Sequence, residues 1–401
     1  MHIQRRTLLC VTLLGLVTVG VTLGFTPAAY AQGGLNLVYT QSNDITSNAV
    51  YGYSNDGQGN LTPLPGSPYL TGGVGVANDG PDDRQLDADG QVIINQAGTL
   101  LFAVNGHTNN VSVFTINPNG SLTPVAGSPF ASNGEEPASV AVRDDAIATG
   151  TGLAVVVNKA SDPDQNLTGT PNYTSFDYST AGVMTMNPGS EFDLAAGGST
   201  SQALFTNKSG NKFFGIEFMT GLIGSYRVTK AGIMSNIVSV TPPNVFNPAT
   251  LGAVLHPTLP ELYVSLPLSR LLTVWTYDGS GNLTWDYTAP NDGGAICWLA
   301  INKQGNRVYS AETNSGTISV YSTKNPKKAI ELQHYTIPET GSVPEHVAID
   351  PSGKFLYALD RVGTLHVISI LGDGTMSETI TPVSLGINSA DVPLGLAVLK
   401  K

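Results

Sequence analysis

One position of a repeating pattern collects most of the side chains able to do chemistry. Three residues beyond an aromatic or apolar anchor, the chain carries in turn Ser42, Asn105, Asn158, Glu217, Leu266, Glu312 and Asp360. Neighbouring positions add Gln41, Lys159, Glu345, His346, Arg361, Glu136 and His107. Gathered on one face, these groups would form an acidic, polar lining with a few cations, suited to hydrogen bonding and proton transfer. The same residue types at strand ends also bond neighbouring backbone groups, and that structural use competes with catalysis at every position of the set.

Other chemistries lose their usual support. The chain has no Gly-x-Ser-x-Gly, His-Glu-x-x-His, Walker loop or Cys-x-x-Cys. Five aspartates crowd residues 79–90, and Asp87-Ala88-Asp89-Gly90 resembles part of a calcium loop, but a terminal bidentate Glu at the required spacing is missing, which favours a solvated turn. No metal and no cofactor is expected. His256 precedes Pro257 and reads as a turn residue on the opposite face; His334 and His366 alternate into strands as structural residues, and Cys297 reads as a buried small hydrophobe.

The elements that must position the lining are written in the repeats. Residues 110–130, NVSVFTINPNGSLTPVAGSPF, repeat the phrase of residues 48–69, NAVYGYSNDGQGNLTPLPGSPY, and weaker copies occupy residues 176–192, 274–287 and 366–382. Repetition at this scale means one supersecondary unit stacked on itself. Each unit reads as four strands; in the last full copy they cover 346–350, 354–359, 364–370 and 378–384. Turns such as Asn119-Gly120 separate runs of alternating hydrophobicity, and helical periodicity is absent from the mature chain. First strands recur at Val92, Val140, Ala203, Ala253, Leu299, Val347 and Leu396, with one interval lengthened by the polar stretch 161–172.

The last first strand, over 393–398, has no second, third or fourth strand after it. Those strands stand at the other end, over 35–40, 48–53 and 61–64. Pairing the two ends closes a ring and removes exposed edges, so the expected fold is an all-β, seven-bladed β-propeller of four-stranded antiparallel blades. The start of each first strand and the loop between second and third strands then share one face, where propellers commonly bind ligands near the axis.

Residues 1–31 read as an export signal: Arg5 and Arg6, an apolar stretch over 8–25, and Ala29-Tyr30-Ala31 before a mature start at Gln32, with the propeller over 32–401. The paired arginines resemble a twin-arginine signal, and adjacent basic residues also occur in Sec signals, so both routes stay open; an uncleaved anchor is the competing account. The protein is expected in the periplasm or outside the cell. The mature part carries 17 basic against 30 acidic side chains, which argues against nucleic acid and anionic membrane as partners. Cys297 is the one mature cysteine, so no intramolecular disulfide can form.

Residues 343–367, VPEHVAIDPSGKFLYALDRVGTLHV, resemble the lactonase-family seven-bladed propellers, which include 6-phosphogluconolactonases and carboxymuconate lactonizing enzymes. The family pattern is Pro-Arg-His, an apolar strand, Pro-x-Gly-Lys-Phe-Leu-Tyr and Asn-Glu. Pro344 and His346 match; Glu345 stands at the Arg position, Asp360 at the Asn and Arg361 at the Glu, so acid and arginine have changed places. The resemblance implies a carboxylic ester hydrolase opening a lactone, which needs a base, an oxyanion stabiliser and groups that hold the ring. His346 or Glu312 would be the base and Arg361 the stabiliser. Gln41, Asn105, Asn158, Lys159, Glu217, Glu345 and Asp360 would contact the substrate, a small lactone or carbohydrate-like molecule handled by a monomer. The alternative is a propeller without catalysis that binds a ligand, glycan or protein.

Overall fold

The alternating segments of each repeat pair into antiparallel sheets in the computed structural model, which describes residues 34–76, 87–160, 169–206, 211–387 and 391–401. Seven sheets form, each with a four-strand path running from an inner first strand to an outer fourth. First strands of neighbouring blades touch one another around the ring, among them Pro137–Ala148 with Thr200–Phe205 and Ile296–Ile301 with Pro344–Ile349. No helix occurs among the described residues. The expected closure is present: Leu394–Lys400 pairs antiparallel with Asn36–Gln41, placing Val398 opposite Val38. Blade 1 therefore takes its innermost strand from the C-terminus, and blades 2 to 7 follow in chain order.

Each pair of adjacent blades shares an apolar cluster, because both faces of a blade are buried. Leu37 and Tyr39 of blade 1 pack with Leu101 and Phe114 of blade 2, and Phe355 and Tyr357 of blade 7 pack with Val38 and Tyr53 of blade 1. Burying one such side chain contributes roughly 1.5–3 kcal/mol, and the last seam makes the ring continuous.

A second device repeats at the seams. The Tyr39 hydroxyl donates to Gly120 O at 2.6 Å, Tyr263 to Pro326 O at 2.8 Å and Tyr309 to Gly374 O at 3.0 Å, while Asn55 Nδ2 donates to the Tyr357 oxygen at 2.7 Å. In each case a second-strand tyrosine meets the turn between third and fourth strands of the next blade or, for Tyr357, the residue that ends the third strand. Blades 2 and 4 carry Phe102 and Phe214 instead, which pack edge-on against Tyr178 and Tyr277 of the following blade.

The fourth strands depart from the expected runs. In blade 7 the run 378–384 is two short pieces, Met376–Ser377 and Val383–Ser384, and blades 1, 2 and 3 are split in the same way. The Pro-Gly-Ser turn explains the split in blades 1 to 3. Ser67, Ser128 and Ser190 hydroxyls accept from the backbone N–H of Gly52, Val113 and Ser175 at 3.0, 2.9 and 3.3 Å, substituting a side chain for a ladder carbonyl.

Candidate functional site

The polar ring lies at the ends of the second strands, as the repeat spacing requires: Gln41, Asn105, Asn158, Glu217, Leu266, Glu312 and Asp360 each close one, with Ser42 one residue beyond. Most of its members spend their hydrogen bonds locally. Asn105 donates to Asn110 Oδ1 and Ser112 Oγ at 2.7 and 2.8 Å and accepts from Asn48 at 2.9 Å. Asn158 donates to Asn172 Oδ1 at 2.8 Å. Glu312, fully buried, accepts from Asn291, Ser310, Thr317 and the Ser319 N–H at 2.9, 2.6, 2.8 and 3.1 Å. Asp360 accepts from the Val343 and Val362 N–H groups at 2.7 and 3.1 Å and from the Ser342 hydroxyl. Desolvation works against its charge, but these donors and His366 together hold its carboxyl below the usual range.

Glycines in the preceding loops complete the burial. A Cβ on Gly73, Gly134 or Gly293 would lie 2.5, 2.4 or 2.6 Å from the side chains of Asn105, Asn158 or Glu312, so only glycine lets these loops close over the ring. Glu217 is less fully bonded: Thr220 donates at 2.7 Å, and burial nonetheless raises its carboxyl above the ordinary value. The Gln41 carbonyl oxygen is buried without a partner among the described residues.

Nearer the axis, the groups from blades 6 and 7 converge. The exchanged pair forms: Arg361 Nε lies 2.7 Å from Glu345 Oε1, with Glu345 buried and the Arg361 side chain 23% exposed. His346, on the adjacent position of the same strand, is buried with its ring 4.7 Å from that of Trp298. Its Nδ1 is 3.8 Å from Asp89 Oδ1, and its Nε2 has no partner among the described residues. Burial lowers its pKa from 6.5, partly opposed by Asp89, so the imidazole is neutral near pH 7. Cys297 stands close by; burial, reinforced by the Asp87 charge, pushes its thiol well up, which keeps it protonated and poorly nucleophilic.

Residues 87–90 are the main departure from expectation. Residues 79–86 of the aspartate-rich stretch lie outside the described residues, and 87–90 form no solvated turn. Ala88 is only 2% exposed, and its carbonyl accepts from Trp298 Nε1 at 2.7 Å and Gln91 Nε2 at 2.8 Å. Lys159 Nζ donates to Asp87 O at 3.1 Å, and Asp89 N donates to Ser201 O at 3.0 Å. The segment, which leads into the first strand of blade 2, thus meets blades 3, 4, 6 and 7. Beside it remains a cavity of about 10 Å³ bordered by Gln41, Gln91, Glu136 and Ala88, room for about one water. Spacing could not have shown these contacts, although an acidic stretch just ahead of an innermost strand is placed to overhang the axis.

His256, His334 and His366 sit in the turn and strands expected of them. His256 Nδ1 accepts from the Thr258 and Leu259 N–H groups of a turn, His334 lies in the outer strand Ile330–Thr336, and His366 Nδ1 is 3.0 Å from Glu378 Oε1.

A family model of lactonases, described as seven-bladed β-propellers, matches residues 261–389, which span blades 5 to 7. The resemblance to lactonase-family propellers holds. Similar solved structures include a periplasmic gluconolactonase of Pseudomonas aeruginosa (14% identity, TM-score 0.70, covering 91% of this chain and 99% of that one). A candidate 6-phosphogluconolactonase of Bacteroides uniformis matches at 14% identity and TM-score 0.71, covering 92% and 100%. A protein from Lactobacillus plantarum matches at 14% and 0.68, covering 91% and 99%. At such identities the likeness carries the seven-bladed propeller fold alone, over nearly the whole chain. No curated protein matches the sequence.

Proposed function

We propose that this lactonase-family propeller is an exported hydrolase that opens a small lactone at the axial end of blades 6 and 7. The observation carrying the reading is His346: a buried, neutral imidazole with an unpartnered Nε2, held on the strand that also supplies Glu345 for Arg361. In the proposed reaction His346 Nε2 takes a proton from water as the water oxygen adds to the lactone carbonyl carbon. Arg361 stabilises the resulting oxyanion. Collapse breaks the ring C–O bond, and the imidazolium returns its proton to the departing alkoxide, leaving a hydroxy acid. Of the two bases considered, His346 suits the role better than Glu312, whose oxygens already accept four hydrogen bonds.

The acidic surroundings favour an uncharged lactone over a phosphorylated one, and export through residues 1–31 would separate the enzyme from cytosolic phosphate esters. No helix among the described residues is long and apolar enough to cross a membrane. The remaining polar residues, Gln41, Asn105, Asn158, Lys159, Glu217 and Asp360, would orient the substrate directly or through bound water. The test is hydrolysis of glucono-δ-lactone and related lactones by the mature chain, followed by acid release. Acceleration over buffer that disappears in Arg361→Ala and His346→Gln is expected; no acceleration by the folded wild type overturns the reading. The filled axis favours a second reading, a binding propeller, for which affinity without turnover is the signature.

A further inference from the structure

Residues 87–90 make an unusual set of bonds for an interblade loop. Their peptide groups are read by side chains and backbone from several blades: Trp298 Nε1 and Gln91 Nε2 on Ala88 O, Lys159 Nζ on Asp87 O, and Ser201 O on Asp89 N. The Asp89 carboxylate lies 3.4 Å from Gln202 Nε2 and 3.8 Å from His346 Nδ1. An indole N–H, an ammonium and two carboxamides, with an imidazole beside them, are the groups that a carboxylate- and carbonyl-bearing guest would require. Here the guest is the chain itself.

We propose that residues 87–90 are a tethered occupant of the axial site, with the Asp89 carboxylate in the place of the carboxylate of a hydroxy acid, so that ligand binding requires the segment to be displaced. The proposal rests on the axial site of the preceding reading and specifies what competes for it. It also accounts for the near absence of free volume beside Ala88. The segment is held at its exit by Gly90, whose φ is +80° and whose N–H is 2.7 Å from Asp89 Oδ1; a Cβ there would lie 2.9 Å from Ser139 Oγ. A substitution at Gly90 therefore strains the seated form specifically. The apparent affinity of a displacing ligand is reduced by the fraction of molecules in which the segment is seated, so loosening it tightens binding.

The first measurement needs no ligand. Hydrogen exchange of the Trp298 indole N–H, which is buried and bonded to Ala88 O, is compared with that of Trp275 and Trp285 in wild type, Asp89→Ala and Gly90→Ala. Exchange at Trp298 alone is expected to accelerate by about tenfold or more in both variants, as local opening becomes less costly. His346 supplies a second readout: if the segment leaves and water enters, its pKa rises toward 6.5, whereas loss of the Asp89 charge alone lowers it further. The second measurement titrates D-gluconate by calorimetry, with about tenfold tighter binding expected in the variants. Unchanged Trp298 exchange with a lowered His346 pKa in Asp89→Ala, and unchanged exchange in Gly90→Ala, overturn the tethered occupant. Lack of lactone hydrolysis with accelerated exchange overturns the hydrolase reading and leaves this one standing. Should Asp89→Ala fail to fold, Asp89→Asn keeps the side-chain shape and removes the charge.

Discussion

Between blades 6 and 7 the Tyr309 hydroxyl donates to Gly374 O, the same bond recurs from Tyr39 and Tyr263, and Tyr357 instead accepts from Asn55, whereas residues 87–90 bond Trp298, Lys159 and Ser201 outside the repeating pattern. The seams use one solution several times over, with Phe102 and Phe214 as apolar variants. The axis uses single groups from different blades once each. A repeated position tolerates loss of one member because its neighbours still close the ring; a unique position has no substitute. Chemistry is therefore to be sought where the repetition fails, and the polar ring, which repeats, is mainly architecture.

That contrast can be tested in order of expected effect. If the axis holds the reaction, His346→Gln lowers lactone turnover by about 10²–10⁴-fold, the range for loss of a general base, with little change in melting temperature. The wild-type rate should fall only below pH 6.5, since the folded-state pKa of His346 is lowered and the neutral base is lost as pH drops through it. A full-strength His346→Gln enzyme would remove the axis as the reaction centre.

Glu312→Ala is expected to act oppositely, costing about 3 kcal/mol or more in urea unfolding, because buried Asn291, Ser310 and Thr317 donors lose their acceptor. Its effect on turnover per folded molecule should be small. A stable but inactive Glu312→Ala protein would move the base from blade 7 to blade 6.

The third effect is on stability against pH. His366, buried, has its pKa raised from 6.5 to about 9: desolvation opposes its charge, and Asp360 and Glu378 overcome that. A raised pKa gives stabilisation that is complete below 6.5 and lost as pH rises through about 9, on the order of 1–3 kcal/mol. Unfolding free energy measured from pH 6 to 10 should fall in the wild type and be flatter in His366→Gln. Smallest, Tyr309→Phe should cost about 1 kcal/mol, the net worth of one buried hydrogen bond, and leave the other seams unaffected. A cost several times larger would show that the seams act cooperatively and are less interchangeable than their repetition suggests.

Much of the architecture was legible from local pattern. Val92, Val140, Ala203, Ala253, Leu299, Val347 and Leu396 all lie in innermost strands, and the closure of the two termini follows from counting strands at each end. The fourth strands were less legible, since a serine hydroxyl at the Pro-Gly-Ser turn can replace a ladder carbonyl without altering hydrophobic alternation. Among site residues, the exchanged Glu345 and Arg361 could be paired by their spacing across one hairpin. The partners of Asp89, His346 and Trp298 could not be, because they are distant along the chain and follow no period.

By itself, then, the sequence determined the strand order, the number of blades and the identity of the polar ring, because alternation and turn chemistry act over a few residues and repeat. Only the tertiary structure decided that most of the ring's side chains bond partners in their own or the adjoining blade, and that residues 87–90 reach groups of blades 3, 4, 6 and 7. Those outcomes depend on which donors from separate blades reach the same few ångströms, a matter of ring closure that no local run of residues encodes.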